Sequence, residues 1–116
     1  MADEPAPRSV RILFAIYAVP LAVTGVWAAA FPRSFFDDFP GAWTWVAVDG
    51  PYNEHLTRDV GTLNLALAVL VAAAAIVGTW RVVLIAAAVT LVNAVPHLVY
   101  HLTNLDGYGG ADAASS

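Results

Sequence analysis

Three long apolar runs account for most of the chain and leave few folds open to it. They cover residues 10–31, 60–80 and 82–102, and each is about 21 residues long. A helix of that length rises about 1.5 Å per residue and crosses the roughly 30 Å hydrocarbon layer of a bilayer. Because lipid offers no hydrogen bonds to a peptide backbone, such runs must be helical. The sequence therefore predicts an all-α transmembrane helical bundle with three spans.

The composition agrees with a membrane location and excludes two classes of function. Hydrophobic residues make up 59% of the 116 residues and charged residues 12%, against about 45–50% and about 25% in soluble domains. The net charge is −4, and the five arginines form no run that could follow a phosphate backbone. The chain has no cysteine, which excludes thiolate chemistry. We therefore expect the lipid bilayer, and not nucleic acid, as its partner.

Residues 32–53 separate the first two runs and are too polar, and too often broken by proline and glycine, to form a regular span. Ser34 followed by Asp37 indicates a capping box and a short helix that Pro40 ends, with its phenylalanines on one side. Aromatic rings beside carboxylates are typical of a segment in the headgroup layer. The alternative is re-entry into the membrane, which would make four helices, or a lid over the helix ends. The residues in question are Phe35, Phe36, Phe39, Trp43, Trp45 and Tyr52, with Asp37, Asp38 and Asp49.

Gly78 separates the second and third runs and predicts a tight helical hairpin, because glycine commonly ends a helix. The alanine blocks 72–75 and 86–88 allow close approach of two helices. The membrane domain then covers residues 10–103, between tails at 1–9 and 104–116 whose composition predicts disorder. For the first run, a cleavable signal peptide ending near residues 28–30 is the alternative, although the acidic leader and the length of the run argue against it.

Arginine positions predict the orientation in the membrane. Arg8 and Arg11 flank the start of the first span and Arg81 lies in the hairpin turn, whereas Arg33 and Arg58 lie in the long loop. The side with more basic residues is normally cytoplasmic. We therefore expect the amino terminus and the hairpin turn in the cytoplasm. The aromatic loop, the start of the second helix and the end of the third helix then share the outer side.

Ionisable residues are concentrated where the second helix begins. His55 and Asp59 are four residues apart and should share one helix face, provided that the helix starts near Asn53, a plausible N-cap. Glu54 and Arg58 lie beside them. Because polar groups at membrane depth avoid lipid, we expect this face to point into the bundle.

A second polar stripe lies at the end of the third helix. Asn93, His97 and His101 recur at every fourth residue and fall within about 80° of the helix surface. Since a tight hairpin makes the second and third helices antiparallel neighbours, we expect this stripe to meet His55 and Asp59. On this hypothesis, replacing Asp59 with alanine destabilises the protein or abolishes ligand binding.

Such a cluster suits several ligands. Three neutral imidazoles and a carboxylate, from His55, Asp59, His97 and His101, are ligands typical of zinc, copper or iron. Haem held by His55 and a histidine of the third helix is a further alternative, as are a small organic ligand and a proton relay. The purely structural alternative pairs Asp59 with Arg58 or a histidine and leaves the imidazoles bonded to backbone carbonyls. Two deeper residues, Asn64 and Asn93, are interpreted as structural polar groups, with Asn64 bonding across to the first helix.

The order of these segments resembles a known group. One span is followed by FPRSFFDDFPG at residues 31–41 and by GPYNEHLTRDVG at residues 50–61, which opens the second span. Over residues 10–102 this order is similar to small bacterial integral membrane proteins of the DoxX-like superfamily, whose activities are mostly unassigned. Those proteins usually have four membrane helices, where three are predicted here. The resemblance implies a compact helical bundle in the bacterial cytoplasmic membrane and carries over no enzyme class and no catalytic residue.

Two classes of function follow from these expectations. In the first, the chain is a non-enzymatic or accessory subunit with a polar pocket at its outer face, which docks on a larger membrane complex or forms a homo-oligomer. In the second, the His/Asp cluster binds a metal or a small ligand. The sequence identifies no substrate, so it assigns no reaction.

Overall fold

The computed structural model describes residues 2–41, 45–47 and 50–104. Within these residues lie four helices, three of them long and one short. The long helices are each apolar enough to cross a membrane, whereas the short one, at about 10 Å, is not. The all-α fold with three candidate spans is therefore confirmed. In chain order the helices are α1 (Arg8–Ala30), α2 (Pro32–Asp38), α3 (Glu54–Val77) and α4 (Trp80–Thr103).

Some of the sequence predictions fall outside the described residues. These are the positions of Trp43 and Asp49 in the aromatic loop and the disorder of the tail after Asn104.

Local signals place both ends of α3. Its N-cap is Asn53, whose side-chain Oδ1 accepts a hydrogen bond of 3.0 Å from the backbone N–H of Leu56, as the sequence predicts. Its C-cap is Gly78, which adopts the left-handed conformation with φ of 70°. That conformation is accessible to glycine at little cost, so the helix stops here and α4 begins at Trp80. The predicted hairpin turn is confirmed.

The most extensive contact between helices joins α1 to α3, not α3 to α4. It is closest at Gly61, where a Cβ atom would lie 2.8 Å from the carbonyl carbon of Ala28 and closer still to the backbone nitrogen of Ala29. A Cβ atom on Gly25 of α1 would likewise lie 2.7 Å from Cγ of Leu65. The backbones of α1 and α3 therefore touch because two glycines face the contact, as is common between membrane helices.

An arginine closes each end of this antiparallel pair. Near the start of α1, the guanidinium of Arg11 donates from Nε to the carbonyl of Ala75 and from Nη2 to that of Ile76, each at 2.9 Å. At the opposite end, Nη1 of Arg58 donates to the carbonyl of Ala29 at 2.6 Å. The last carbonyls of a helix have no partner within it. Each helix thus supplies the hydrogen-bond donors for the other's carboxyl end.

The predicted disorder of residues 1–9 is not what the structure shows for residues 2–7. The backbone N–H of Ala6 donates to the carbonyl of Gly78 at 2.7 Å, and that of Trp80 donates to the carbonyl of Glu4 at 3.0 Å. Asp3 and Arg81 form an ion pair of 3.1 Å. The segment is ordered because the turn between α3 and α4 offers it backbone partners, which its proline-rich composition does not reveal.

Only the first part of α4, near the turn, packs closely against the rest of the chain. Its buried residues are Val83 and Ala86, which cluster with Ala74 of α3 and with Ala6. From residue 89 to residue 103 every position of α4 is exposed or half-buried. The close approach predicted for the two alanine blocks therefore exists at the turn, and the far half of α4 has little cover from the described chain.

The aromatic segment begins differently from the prediction. α2 starts at Pro32, and Ser34 lies inside it, where its hydroxyl accepts a hydrogen bond of 3.0 Å from Nε1 of Trp27 instead of capping a helix. The phenylalanines also divide: Phe35 meets Trp27 edge to face with ring centroids 6.0 Å apart, whereas Phe36 contacts Tyr52 at 5.2 Å. The predicted capping box and the single aromatic side are therefore wrong. α2 is held by side chains of α1 and of the segment before α3.

The Gly61 contact provides a test of the α1–α3 pair. We expect Gly61→Ala to lower the free energy of unfolding by about 1–3 kcal/mol, because the new methyl group meets backbone atoms that cannot rotate away. The measurement is unfolding in mixed detergent micelles, followed by circular dichroism. Ala66→Leu, on the exposed side of the same helix, is the control and should change stability little. Equal stability of G61A and the native chain would contradict the close contact.

Arg11 tests the second feature of the pair. Arg11→Met removes both bonds to the end of α3, and we expect a loss of about 1–3 kcal/mol in the same assay, since carbonyls that lose charged donors at a half-buried site are costly. Arg8→Met, at an exposed position in the first turn of α1, removes the same charge and should have a much smaller effect. If the two variants behave alike, net charge and not helix capping explains the change.

Candidate functional site

The ionisable residues at the start of α3 form local pairs on its surface. Nε2 of His55 lies 3.1 Å from Oδ2 of Asp59, one turn along the helix, with the two side chains 89% and 54% exposed. Nη2 of Arg58 lies 3.8 Å from Oε1 of Glu54 in a second pair with the same spacing. Exposed pairs of this kind contribute at most about 0.5 kcal/mol each. Both pairs are therefore exposed contacts within one helix.

Packing of α3 on α1 explains why His55 and Asp59 point outward. Thr57, which is 7% exposed, and Gly61 lie on the side of α3 that is buried. Residues 55 and 59 lie about 160–200° away from residue 57 around a helix, on the opposite side. The face that the sequence predicts to turn inward is thus the outer face of the α1–α3 pair.

The histidines of α4 lie together near its end. The rings of His97 and His101 are 4.6 Å apart and nearly perpendicular, and His101 also contacts the ring of Tyr100 at 5.7 Å. Asn93, one turn before His97, is exposed. Asn93, His97 and His101 therefore follow one another along α4, as the sequence predicts.

The two polar groups do not combine into one site in the structure. Among the described residues there is no group of three or more histidine, aspartate or glutamate side chains placed to hold a metal ion. The reason is the choice of helix partner: the first half of α3 packs on α1, and the second half of α4 extends away from the buried cluster at the turn. Metal or haem binding by His55, Asp59, His97 and His101 stays a prediction.

The polar stripe of α4 continues the helix face that is buried at the turn. Taking about 100° per residue, Val83, Ala86, Asn93 and His97 fall within about 80° of one another. Val83 and Ala86 are 3% and 0% exposed, whereas Asn93 and His97 are exposed. We call this continuation the open face of α4. It consists of Asn93 and His97, which are exposed, and of Thr90 and Ala94, which are half-buried.

Beside the open face lies a groove between α1 and α4. Its volume is about 340 Å³, and its lining is almost wholly apolar. Thr90 contributes a hydroxyl, but this already donates to backbone carbonyls of its own helix, Ala86 at 2.8 Å and Ala87 at 3.0 Å. A second groove of about 510 Å³, at the end of α1, is lined by aliphatic and aromatic side chains. These grooves suit acyl chains or helices rather than a polar ligand. The first is lined by Leu13, Phe14, Tyr17, Ala87, Thr90 and Leu91.

The sequence predicts that Asn64 links α3 to α1, and this prediction is wrong. Its Nδ2 donates to the carbonyl of Val60 at 2.8 Å, one turn earlier in the same helix. The amide NH₂ is therefore bonded within its own helix.

Three important residues were not recognised as such in the sequence. Gly61 and Gly25 gave a visible signal, since glycine inside an apolar run indicates a close helix contact. Arg11 serves in the sequence only as an orientation signal, although an arginine at the start of an apolar run needs acceptors and the end of a neighbouring helix supplies them.

Comparison of the chain with protein-family models, with curated proteins and with solved structures found no match. The function must therefore be inferred from the residues themselves and from their geometry.

The exposed pair at the start of α3 changes the expectation for Asp59. We expect Asp59→Ala to lower the free energy of unfolding by no more than about 0.5 kcal/mol, because the His55 contact is solvated. Asp37→Ala, which removes the similarly spaced Arg33 pair at 2.9 Å, is the matched control and should behave alike. The measurement is detergent unfolding of both variants. A loss several times larger for D59A alone would support the buried His/Asp site that the sequence predicts.

Proposed function

We propose that the chain is a non-enzymatic accessory subunit in a membrane. It assembles with other membrane helices through the open face of α4. One observation carries the proposal. The face of α4 that is buried at Val83 and Ala86 becomes uncovered further along the helix, at the point where it becomes polar. A helix that is simply surrounded by lipid would be apolar on that face.

The depth of Asn93 supports this interpretation. It lies 13 positions after Trp80, or about 20 Å along α4, well inside a hydrocarbon layer of about 30 Å. An amide without a hydrogen-bond partner in such surroundings costs several kcal/mol. Lipid tails cannot supply one, whereas a neighbouring helix can.

The remaining helices fit the role of an anchor. α1 and α3 hold each other by close backbone contact and by two arginines, and the amino-terminal segment fastens the turn from which α4 leaves. α4 is then the long helix with the least of its surface covered by the rest of the described chain. A polar pocket at the outer face, the other part of the sequence prediction, stays a prediction.

The membrane we propose is the bacterial cytoplasmic membrane, with the amino terminus and the α3–α4 turn in the cytoplasm. The resemblance of residues 10–102 to DoxX-like proteins supports the first statement. The second is supported by Arg8, Arg11 and Arg81, which lie at the end of the molecule where the amino terminus contacts the turn.

Particle mass tests the proposal. The native chain is extracted from membranes in polymer-bounded lipid discs, and we expect particles that contain more protein than one 12.2 kDa chain. The double variant Asn93→Leu, His97→Leu should shift them to single chains, because the open face then becomes indistinguishable from a lipid-facing surface. Val92→Leu with Val95→Leu, on the exposed back of α4, is the control and should leave the mass unchanged. A native particle with a single chain would overturn the proposal.

A further inference from the structure

We infer that the partner of the open face is a second copy of this chain, so that two α4 helices pair through Thr90, Asn93, Ala94 and His97. The inference rests on the proposed function and adds to it the identity of the partner. Three properties of the open face support a copy of itself: its hydrogen-bonding chemistry, the size of its side chains and its symmetry.

The chemistry of the open face is complementary to itself. The amide of Asn93 carries both a carbonyl acceptor and NH₂ donors, so two such amides can form reciprocal hydrogen bonds. A face that carried a single charge would repel its copy and would need a partner of opposite charge. Polar side chains that bond between helices are known to stabilise association within membranes.

The side chains beside Asn93 allow two backbones to come close. Thr90 and Ala94 are four residues apart, which is the spacing of small residues in closely packed membrane helices. Thr90 keeps its hydroxyl bonded to its own helix, so it presents its methyl group and costs nothing to cover. By contrast, large side chains at Val92 and Val95 occupy the back of α4.

Symmetry brings each residue of the open face next to its own copy. Two copies that share the orientation proposed above, and that are related by a two-fold axis along the membrane normal, have parallel α4 helices at the same depth. Such an interface uses the same patch on both subunits. Asn93 then lies opposite Asn93, at the depth where hydrogen bonding is worth most.

Disulfide trapping tests the pairing directly, because the chain has no cysteine of its own. Full-length Thr90→Cys and Val95→Cys chains are each reconstituted in phosphatidylcholine vesicles and oxidised with a membrane-permeant oxidant. Residues 90 and 95 differ by about 140° around the helix. We expect T90C to form a band at twice the mass of the 12.2 kDa chain in at least severalfold greater yield than V95C. Equal yields would indicate random collision and overturn the inference.

The outcomes also separate this inference from the proposed function. If T90C forms no dimer in pure vesicles while native particles from membranes contain more than one chain's mass of protein, the partner is a different protein. The inference of a second copy is then wrong, and the proposed accessory role stands. If T90C forms no dimer and the native particles are single chains, both fail.

A second variant examines the role of the amide. Asn93→Leu in the T90C background should weaken dimerisation about tenfold, measured from the trapped fraction across a series of protein-to-lipid ratios, because reciprocal hydrogen bonds are lost. Asn64→Leu, which removes an amide already bonded within its own helix, is the matched control and should leave the fraction unchanged. An unchanged fraction in N93L would overturn pairing through the open face.

Discussion

The backbone contact between Gly61 of α3 and residues 28 and 29 of α1 governs the rest of the structure. Apolar side chains gain nothing by leaving lipid for one another, so association in a membrane depends on close packing and hydrogen bonds. The glycine removes the side chain that would hold the helices apart. With α3 fixed on α1 in this rotation, Thr57 is buried and the side of His55 and Asp59 must face outward.

The two arginines complete what this contact begins. Where two antiparallel helices touch, the carboxyl end of each lies beside the start of the other, and its last carbonyls lack partners within the helix. Arg11 and Arg58 each reach across to such carbonyls, where a positive charge also interacts favourably with the helix dipole. Sliding of α1 along the axis of α3 would break both sets of bonds. The two arginines therefore fix the register that the Gly61 contact allows.

Sequence reasoning predicted what depends on neighbouring residues and failed where distant residues decide. Four features depend only on neighbouring residues, and the structure contains all of them. They are the apolar runs, the N-cap Asn53, the helix end at Gly78 and the stripe of polar residues at every fourth position of α4. The choice of partner for α3 is not local. Proximity along the chain favoured α4, but backbone contact with α1 is stronger because glycine occurs on both sides of it. The meeting of the two polar groups depended on that choice and could not be predicted.

The distribution of glycine also explains why α4 stays uncovered within one chain. Residues 8–30 and 54–77 contain one glycine each, Gly25 and Gly61, and both are used between α1 and α3, whereas residues 80–103 contain none. α4 can therefore approach α3 closely only at its alanines near the turn, where Ala86 meets Ala74. Beyond the turn, α4 is separated from α1 by the apolar groove that Thr90 and Phe14 help to line. The small and polar residues of the open face are the ones through which we propose that α4 pairs outside the chain.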